Sequence, residues 1–295
     1  MGKKNYYRVG GHTYCICFAD DKNSAELLPS SEPFRLEQPD TAELLFTLTV
    51  DDNWRPESRG TEIGQFDCGG NNHGVYRSDD GSYQILVSDM DGRQCCLLEV
   101  TADFTQAKVC LNGNYNMRNF GLNNALMMVY AFSGSQHNTL LMHASVVRKD
   151  GYGYLCLGVS GTGKSTHTGL WLKHIPGTDL MNDDNPVVRC CPDGVVRVYG
   201  SPWSGKTPCY RNVEAPIGAF LQLKQAPYNK IRRQSVVESF ASLLPSCSVM
   251  KWDKSNYMGT CDAVSAVMQT TPTFLLECLP DEDACQLSYK TIRAV

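Results

Sequence analysis

The chain has 295 residues, 42% of them hydrophobic, and a formal net charge of −4; that length suits one large domain or two ordinary ones, and either buries a core without disulfide staples. Its 27 basic residues are dispersed, which argues against a nucleic-acid partner. No run of about 18 apolar residues suggests a membrane helix, and the opening MGKKNYYRVGGH lacks the apolar core of a signal peptide, so the expected setting is cytoplasmic with no membrane partner.

The 14 cysteines are scattered, many inside apolar runs of strand character, and read as small core residues in a reducing compartment. Cys15/Cys17, Cys95/Cys96 and Cys190/Cys191 lack the two-residue spacer of a zinc knuckle. From Tyr6 to about Leu111, short runs with strand character alternate with turn clusters: His12 to Phe18, Leu44 to Val50, Tyr83 to Val87, Cys95 to Val100 and Ala107 to Leu111. This half is expected to be a β-rich domain, residues 1–118. At Gly121 to Phe132 the pattern becomes helical, with Asn119 as its expected cap, and a second domain is expected over 119–295.

Two strands follow, Leu140 to Val147 and Tyr152 to Leu157, joined through Asp150-Gly151, a strong two-residue hairpin signal. If these two residues form the turn, Lys149 faces Tyr152 and, counting outward, His143 faces Gly158. A histidine in an apolar strand reads either as a hydrogen-bonded core residue or, beside a functional loop, as a phosphate or acid–base group.

Residues 158 to 165 read GVSGTGKS, a Walker A pattern entered from a strand and followed by a helical run, THTGLWLKHI. Glycines at 158, 161 and 163 let backbone N–H groups curl around phosphates, with Ser160, Thr162 and Thr166 in the same turn. Lys164 reaches the outer phosphates and Ser165 offers a hydroxyl to Mg²⁺. His167, on the first helical turn, reads as a surface or packing residue. A second match, GSPWSGKT at Gly200 to Thr207, has Pro202 inside it and Pro208 directly after it, so no long helix starts there. It reads as a proline-stiffened surface loop or as a loop that closes over phosphate or substrate with Lys206.

Phosphoryl transfer calls for a carboxylate to hold Mg²⁺ and often another to take the proton of the attacking hydroxyl. A helix from Ser165 to about Ile175 travels roughly 15 Å away. A strand from Asp179 to Asp183 returns about 16 Å, which brings Asp183 and Asp184 back to the level of the loop. Along a continuing strand the two would point to opposite sides. Asn182-Asp183-Asp184-Asn185-Pro186 is also good turn chemistry. Arg211 stands as a cation for the transferring group or as half of a surface ion pair. Towards the end of the chain, Ser235 to Leu244 and Asp262 to Met268 read as helices and Thr273 to Leu279 as a strand.

HASVV, GVSGTGKSTH and NDDNPVV together resemble the C-terminal catalytic domain of HPr kinase/phosphorylases and their relatives, which share a P-loop fold with phosphoenolpyruvate carboxykinases. The likeness covers roughly residues 138 to 225 and is weaker beyond. It implies an α/β, phosphoenolpyruvate carboxykinase-like kinase domain with a mixed sheet, a nucleotide held by Gly158 to Thr166, Asp183 as general base, Asp184 as the metal-associated acid and His143 as an active-site histidine. Where HPr kinases carry an Arg-Gly-Leu-Gly signature, this chain has GSPWSGKTPCYRN, and its first half is unlike theirs.

The expected activity is phosphoryl transfer from ATP, or from ADP or GTP, with Mg²⁺, to a hydroxyl such as serine in a small molecule, peptide or protein. Catalytic candidates are Asp183, His143, Lys164 and Arg211; Lys206 is a further nucleotide contact, and Ser165 and Asp184 are the metal pair. Alternatives are a nucleotide-sensing module without turnover and a carboxykinase-like enzyme.

Overall fold

The computed structural model describes residues 2–38, 43–66 and 73–293. Contacts divide the chain into two compact units, Met1–Ser133 with Lys251–Asp253, and Gly134–Met250 with Lys254–Val295. Both are largely β, each built on a mixed sheet.

In the first unit the described strands are β1 (Lys3–Val9), β2 (His12–Phe18), β3 (Arg35–Leu36), β4 (Leu44–Val50), β5 (Thr61–Phe66), β6 (His73–Arg77), β7 (Tyr83–Ser88), β8 (Gln94–Val100) and β9 (Gln106–Leu111). They form one sheet in the order β3-β1-β2-β4-β9-β8-β7-β6-β5, with β4 parallel to both neighbours and the other pairs antiparallel. Alternation drives it: Phe46, Leu48 and Val50 of β4 are buried, as are Tyr83, Ile85 and Val87 of β7. All five strands expected in this half are present.

Helix α1 (Tyr115–Ser135) begins earlier than its apolar pattern suggests. Asn114 caps it, its Oδ1 accepting from the Met117 N–H at 3.2 Å. The expected cap, Asn119, lies inside the helix and donates to the Leu27 carbonyl at 2.7 Å. The boundary expected after residue 118 therefore falls within α1, and the contact division follows Ser133. A Cβ on Gly121 would lie 3.0 Å from the Cys95 carbonyl oxygen, so glycine there permits the close approach of helix to sheet.

In the second unit, β10 (Thr139–Leu141), β11 (Ala144–Lys149), β12 (Tyr152–Leu157), β13 (Asp179–Asp184), β14 (Val187–Cys190), β15 (Val196–Tyr199) and β16 (Glu214–Gln225) run in the order β10-β14-β15-β16-β12-β11-β13. Off that path, β17 (Lys230–Arg233) pairs with β18 (Thr273–Cys278), which lies parallel to β16. Helices α2 (Lys164–His174) and α5 (Glu282–Ile292) contribute to a core with Tyr154, Cys156, Trp171, Leu221 and Cys285. The alternate residues Leu155, Leu157 and Phe220 join a second core with α3 (Val236–Leu243) and α4 (Lys254–Thr270). The sheet is thus the middle of three layers. Ser235 and Glu238 form a capping box at the start of α3.

The β11–β12 hairpin has the expected register, from Lys149↔Tyr152 to Ala144↔Leu157. Asp150 and Gly151, at φ of 51° and 85°, make its two-residue turn. The strand expected over Leu140 to Val147 is split, because its first part pairs elsewhere. Leu140 sits opposite Val188 in β14, and the Met142 and His143 N–H groups donate to the carbonyls of Pro186 and Ser246 at 3.0 and 2.6 Å. His143 occupies the break, one step beyond the hairpin ladder.

The described cysteines are all free. Among the described residues, no helix is long and apolar enough to cross a membrane.

Candidate active site

Strand β12 ends at Leu157, and the chain turns through Gly158 to Gly163 into α2. This loop needs glycine: φ is 150° at Gly158, 81° at Gly161 and 105° at Gly163, a half of backbone space that side chains rarely enter. The Thr162 N–H closes the turn on the Val159 carbonyl at 3.1 Å, and the His167 N–H donates to Gly163 O at 2.9 Å. The Lys164 side chain folds back into the loop, its Nζ donating to the Gly158 carbonyl at 2.9 Å. Lys164 is buried, while Ser160, Gly161, Ser165 and Thr166 are exposed at the surface of the loop and first helical turn.

The out-and-back travel of helix and strand ends where the spacing predicts. Ser145 of β11 pairs with Asp183, and Ala144 with Asp184. The Ser165 hydroxyl donates to Asp183 Oδ1 at 2.8 Å, although the sequence reading joins Ser165 to Asp184. Asp184 ends the strand at φ 135°, a strained value for a residue with a side chain. Its Oδ1 lies 3.1 Å from His143 Nδ1, and its Oδ2 accepts from Asn185 Nδ2 at 2.8 Å. The strand continues through both acids, as the expectation of opposite sides required, but its last residue, Asp184, has left the extended conformation. Both carboxylates lie near enough to Lys164 to act on its amine.

Burial sets the charges. It pulls the Lys164 amine down, against Asp184 and Asp183, which push it up. It also pulls His143 below its ordinary value, with Asp184 opposing, so the imidazole is neutral at pH 7. The Asp184 carboxyl is pushed up by burial, against His143 and Lys164, with Asp183 adding to the rise. A neutral imidazole facing an ionised Asp184 carries its proton on Nδ1 and presents a lone pair on Nε2.

The asparagines flanking the acids were legible only as turn formers, and that is their task. Asn182, fully buried, accepts from the Asn185 N–H at 2.9 Å and donates to Ser201 Oγ and the Trp203 carbonyl at 3.2 and 3.0 Å. The turn reading and the site reading of NDDN thus divide between its asparagines and its aspartates. Ser246, whose carbonyl anchors the His143 backbone, carries no sequence signal, since it arrives from about a hundred residues away.

The second Gly-Lys-Thr loop builds no phosphate nest. No helix follows it, and its Gly205 N–H donates to the Asp183 carbonyl. A Cβ on Gly205 would lie 3.1 Å from Asp184 Cβ, so the loop backs the acidic pair directly. Gly200 is a packing glycine: a Cβ there would meet the Arg211 carbonyl oxygen at 1.9 Å. Lys206 is exposed on this backing loop. Arg211 does not join the group. Its guanidinium bonds to Asp179 Oδ2 at 2.8 Å and to the Leu180 carbonyl, at the far end of β13 from Asp183. His167 is a packing residue, 3% exposed, with Nε2 3.0 Å from Ser288 Oγ.

Among the described residues, no group of three or more His, Cys, Asp and Glu side chains gathers as a metal site. Ser165 and Asp183 nonetheless offer adjacent hard oxygen donors. That set fits Mg²⁺, which keeps several waters and is commonly bound by one or two carboxylates together with substrate phosphates. No protein-family model matches the chain, and no curated protein matches it.

Proposed function

We propose that the protein is an ATP-dependent phosphotransferase of the HPr kinase-like type, with a phosphoenolpyruvate carboxykinase-like P-loop domain, that moves a phosphoryl group to an alcohol. The observation that carries this reading is the convergence of Lys164, Ser165, Asp183, Asp184 and His143 at the end of one sheet. A loop that only bound phosphate would need neither the second acid nor the histidine.

The loop N–H groups and Lys164 hold the phosphates and offset their charge. Ser165 and Asp183 would hold Mg²⁺, which when bound supplies positive charge to the transferring phosphoryl oxygens. The hydrogen bond between Ser165 and Asp183 supports giving the metal role to Asp183, which leaves Asp184 to orient the proton acceptor. Asp184 orients His143 through Nδ1, and Nε2 accepts the proton of the incoming hydroxyl as its oxygen attacks the terminal phosphorus and the bond from that phosphorus to the β–γ bridging oxygen breaks, releasing ADP. A half-exposed His143 side chain leaves that nitrogen within reach of an acceptor. The acceptor is a hydroxyl in a small molecule, a peptide or a protein.

The test supplies γ-labelled ATP and Mg²⁺ with free serine, sugars, peptides and HPr-type proteins. Label should move to one acceptor class, and Asp184→Asn should bind ATP as the wild type does while losing transfer. Tight ATP binding with no transfer to any acceptor class would point instead to a nucleotide-sensing module.

A further inference from the structure

Strand β17 is the outer strand of its sheet: it pairs with β18 and with no other described strand. Its sequence, Lys-Ile-Arg-Arg over Lys230–Arg233, leaves every residue but Ile231 exposed. The Gln234 N–H, one step past the strand, donates to the Thr273 carbonyl at 2.9 Å. Bonds in an antiparallel ladder alternate, so Arg232 and Lys230 turn their N–H and C=O groups towards β18 as well, opposite Leu275 and Glu277. Ile231 and Arg233 therefore turn theirs outward, and no group among the described residues meets them. Such an edge is a template for one more strand.

Charge selects the strand that fits. Arg232 is engaged, its guanidinium bonded to the two Glu238 carboxylate oxygens at 2.6 and 3.0 Å, and Lys224 of β16 pairs with Glu277 at 2.9 Å. Lys230 and Arg233 form no ion pair among the described residues, and three positions apart on a strand they stand on opposite faces. A second copy of this chain is a poor occupant. Two β17 edges paired about a two-fold axis would set Arg232 against Arg232 or against Lys230, and like charges directly opposite destabilise a pair. A polyanion that is not a polypeptide meets the cations but leaves the outward backbone groups unpaired. Exposed Tyr228 and Val236 flank the strand in sequence and add apolar surface at its two ends.

We propose that β17 is a docking edge for an acidic, extended segment of a partner protein, which adds as an antiparallel strand with carboxylates opposite Lys230 and Arg233 and a β-branched residue opposite Ile231. Its backbone bonds to Ile231 and Arg233, and its acids supply the specificity. Strands β18 and β16 lie between this edge and β12, the strand that enters the phosphate loop, so the edge is separate from the candidate active site.

Residue-resolved hydrogen exchange on the full chain tests this, with two capped synthetic peptides, of core sequence Glu-Thr-Val-Glu and Lys-Thr-Val-Lys, as probes. In the free protein the Ile231 and Arg233 amides should exchange fast, and those of Arg232 and Gln234 slowly. Saturating acidic peptide should slow Ile231 and Arg233 by at least ~10-fold, whereas the basic peptide should leave them unchanged. By fluorescence anisotropy the acidic peptide should bind at least ~10-fold more tightly than the basic one. Methylating its valine nitrogen, which removes the hydrogen meant for the Ile231 carbonyl, should weaken it by ~10-fold. Arg233→Glu, at an exposed side chain, should bring the two peptides to within ~3-fold of each other with the thermal midpoint unchanged. An undiminished preference in that variant, or an N-methylated peptide that binds the wild type within ~2-fold of its parent, would overturn the proposal. So would Ile231 and Arg233 amides that neither peptide slows, in which case the cations only guard the edge.

Discussion

Replacing Lys164 with methionine removes the ammonium and keeps an unbranched stem, so it isolates the charge in the loop. In the wild type Nζ sits 2.9 Å from the Gly158 carbonyl, in a residue only 9% exposed, with Asp183 and Asp184 near enough to hold its charge against burial. Removing the cation abolishes its desolvation cost and also leaves the two acids without compensation. These effects oppose, and folding stability should change by no more than ~2 kcal/mol. Binding has no such cancellation, because a charged contact to phosphate is worth ~1.5–3 kcal/mol. Mg-ATP should therefore bind ~10- to 150-fold more weakly. Turnover should fall further, by ~100- to 1,000-fold, as charge builds on the transferring group. Titration calorimetry with Mg-ATP, beside a urea melt of the same preparation, measures both quantities. A Lys164→Met protein that is folded and binds ATP within ~3-fold of the wild type would refute the assignment of Lys164 to the phosphates.

Asp184→Asn should stabilise the protein while it stops transfer. Burial raises the Asp184 carboxyl above 3.8, so its contribution is most favourable below that pH and is lost as pH rises through the folded value. The variant's melting midpoint should accordingly exceed the wild type's at neutral pH and converge with it in acid, and a lower midpoint at pH 7.5 would contradict the account. His167 works in the other direction: burial lowers it from 6.5 to about 4, so the unfolded chain takes up its proton first and stability falls across that window as pH drops. His167→Gln should flatten this acid loss, worth up to roughly 3 kcal/mol by urea midpoints at pH 7 and pH 4, and an unchanged slope would refute it. Gly200→Ala drives a methyl to within 1.9 Å of the Arg211 carbonyl oxygen and should cost ~2 kcal/mol or more, read as a drop in thermal midpoint.

Much of the candidate site follows from local rules. The β11–β12 register was readable because Asp150-Gly151 admits the positive φ values of a two-residue turn, and that turn fixes every pair behind it. The offset from Lys164 to Asp183 was readable because a helix and a strand have constant rise, so an eleven-residue helix and a six-residue return nearly cancel. The glycines and lysine of the phosphate loop likewise carry their conformation in their identity.

What the residues in order left undecided is who partners whom. The split of the expected Leu140–Val147 strand depends on Val188, Pro186 and Ser246, and none announces itself near His143. Whether Ser165 bonds Asp183 or Asp184 depends on a strand end and a positive φ that the backing loop at Gly205 helps to impose. Arg211 was an equal candidate until Asp179 took its guanidinium. Turn type and rise per residue are properties of a few neighbouring dihedrals and so survive in the sequence. Pairings across a hundred residues are chosen by competition among all the groups the fold brings together, and only the assembled sheet decides them.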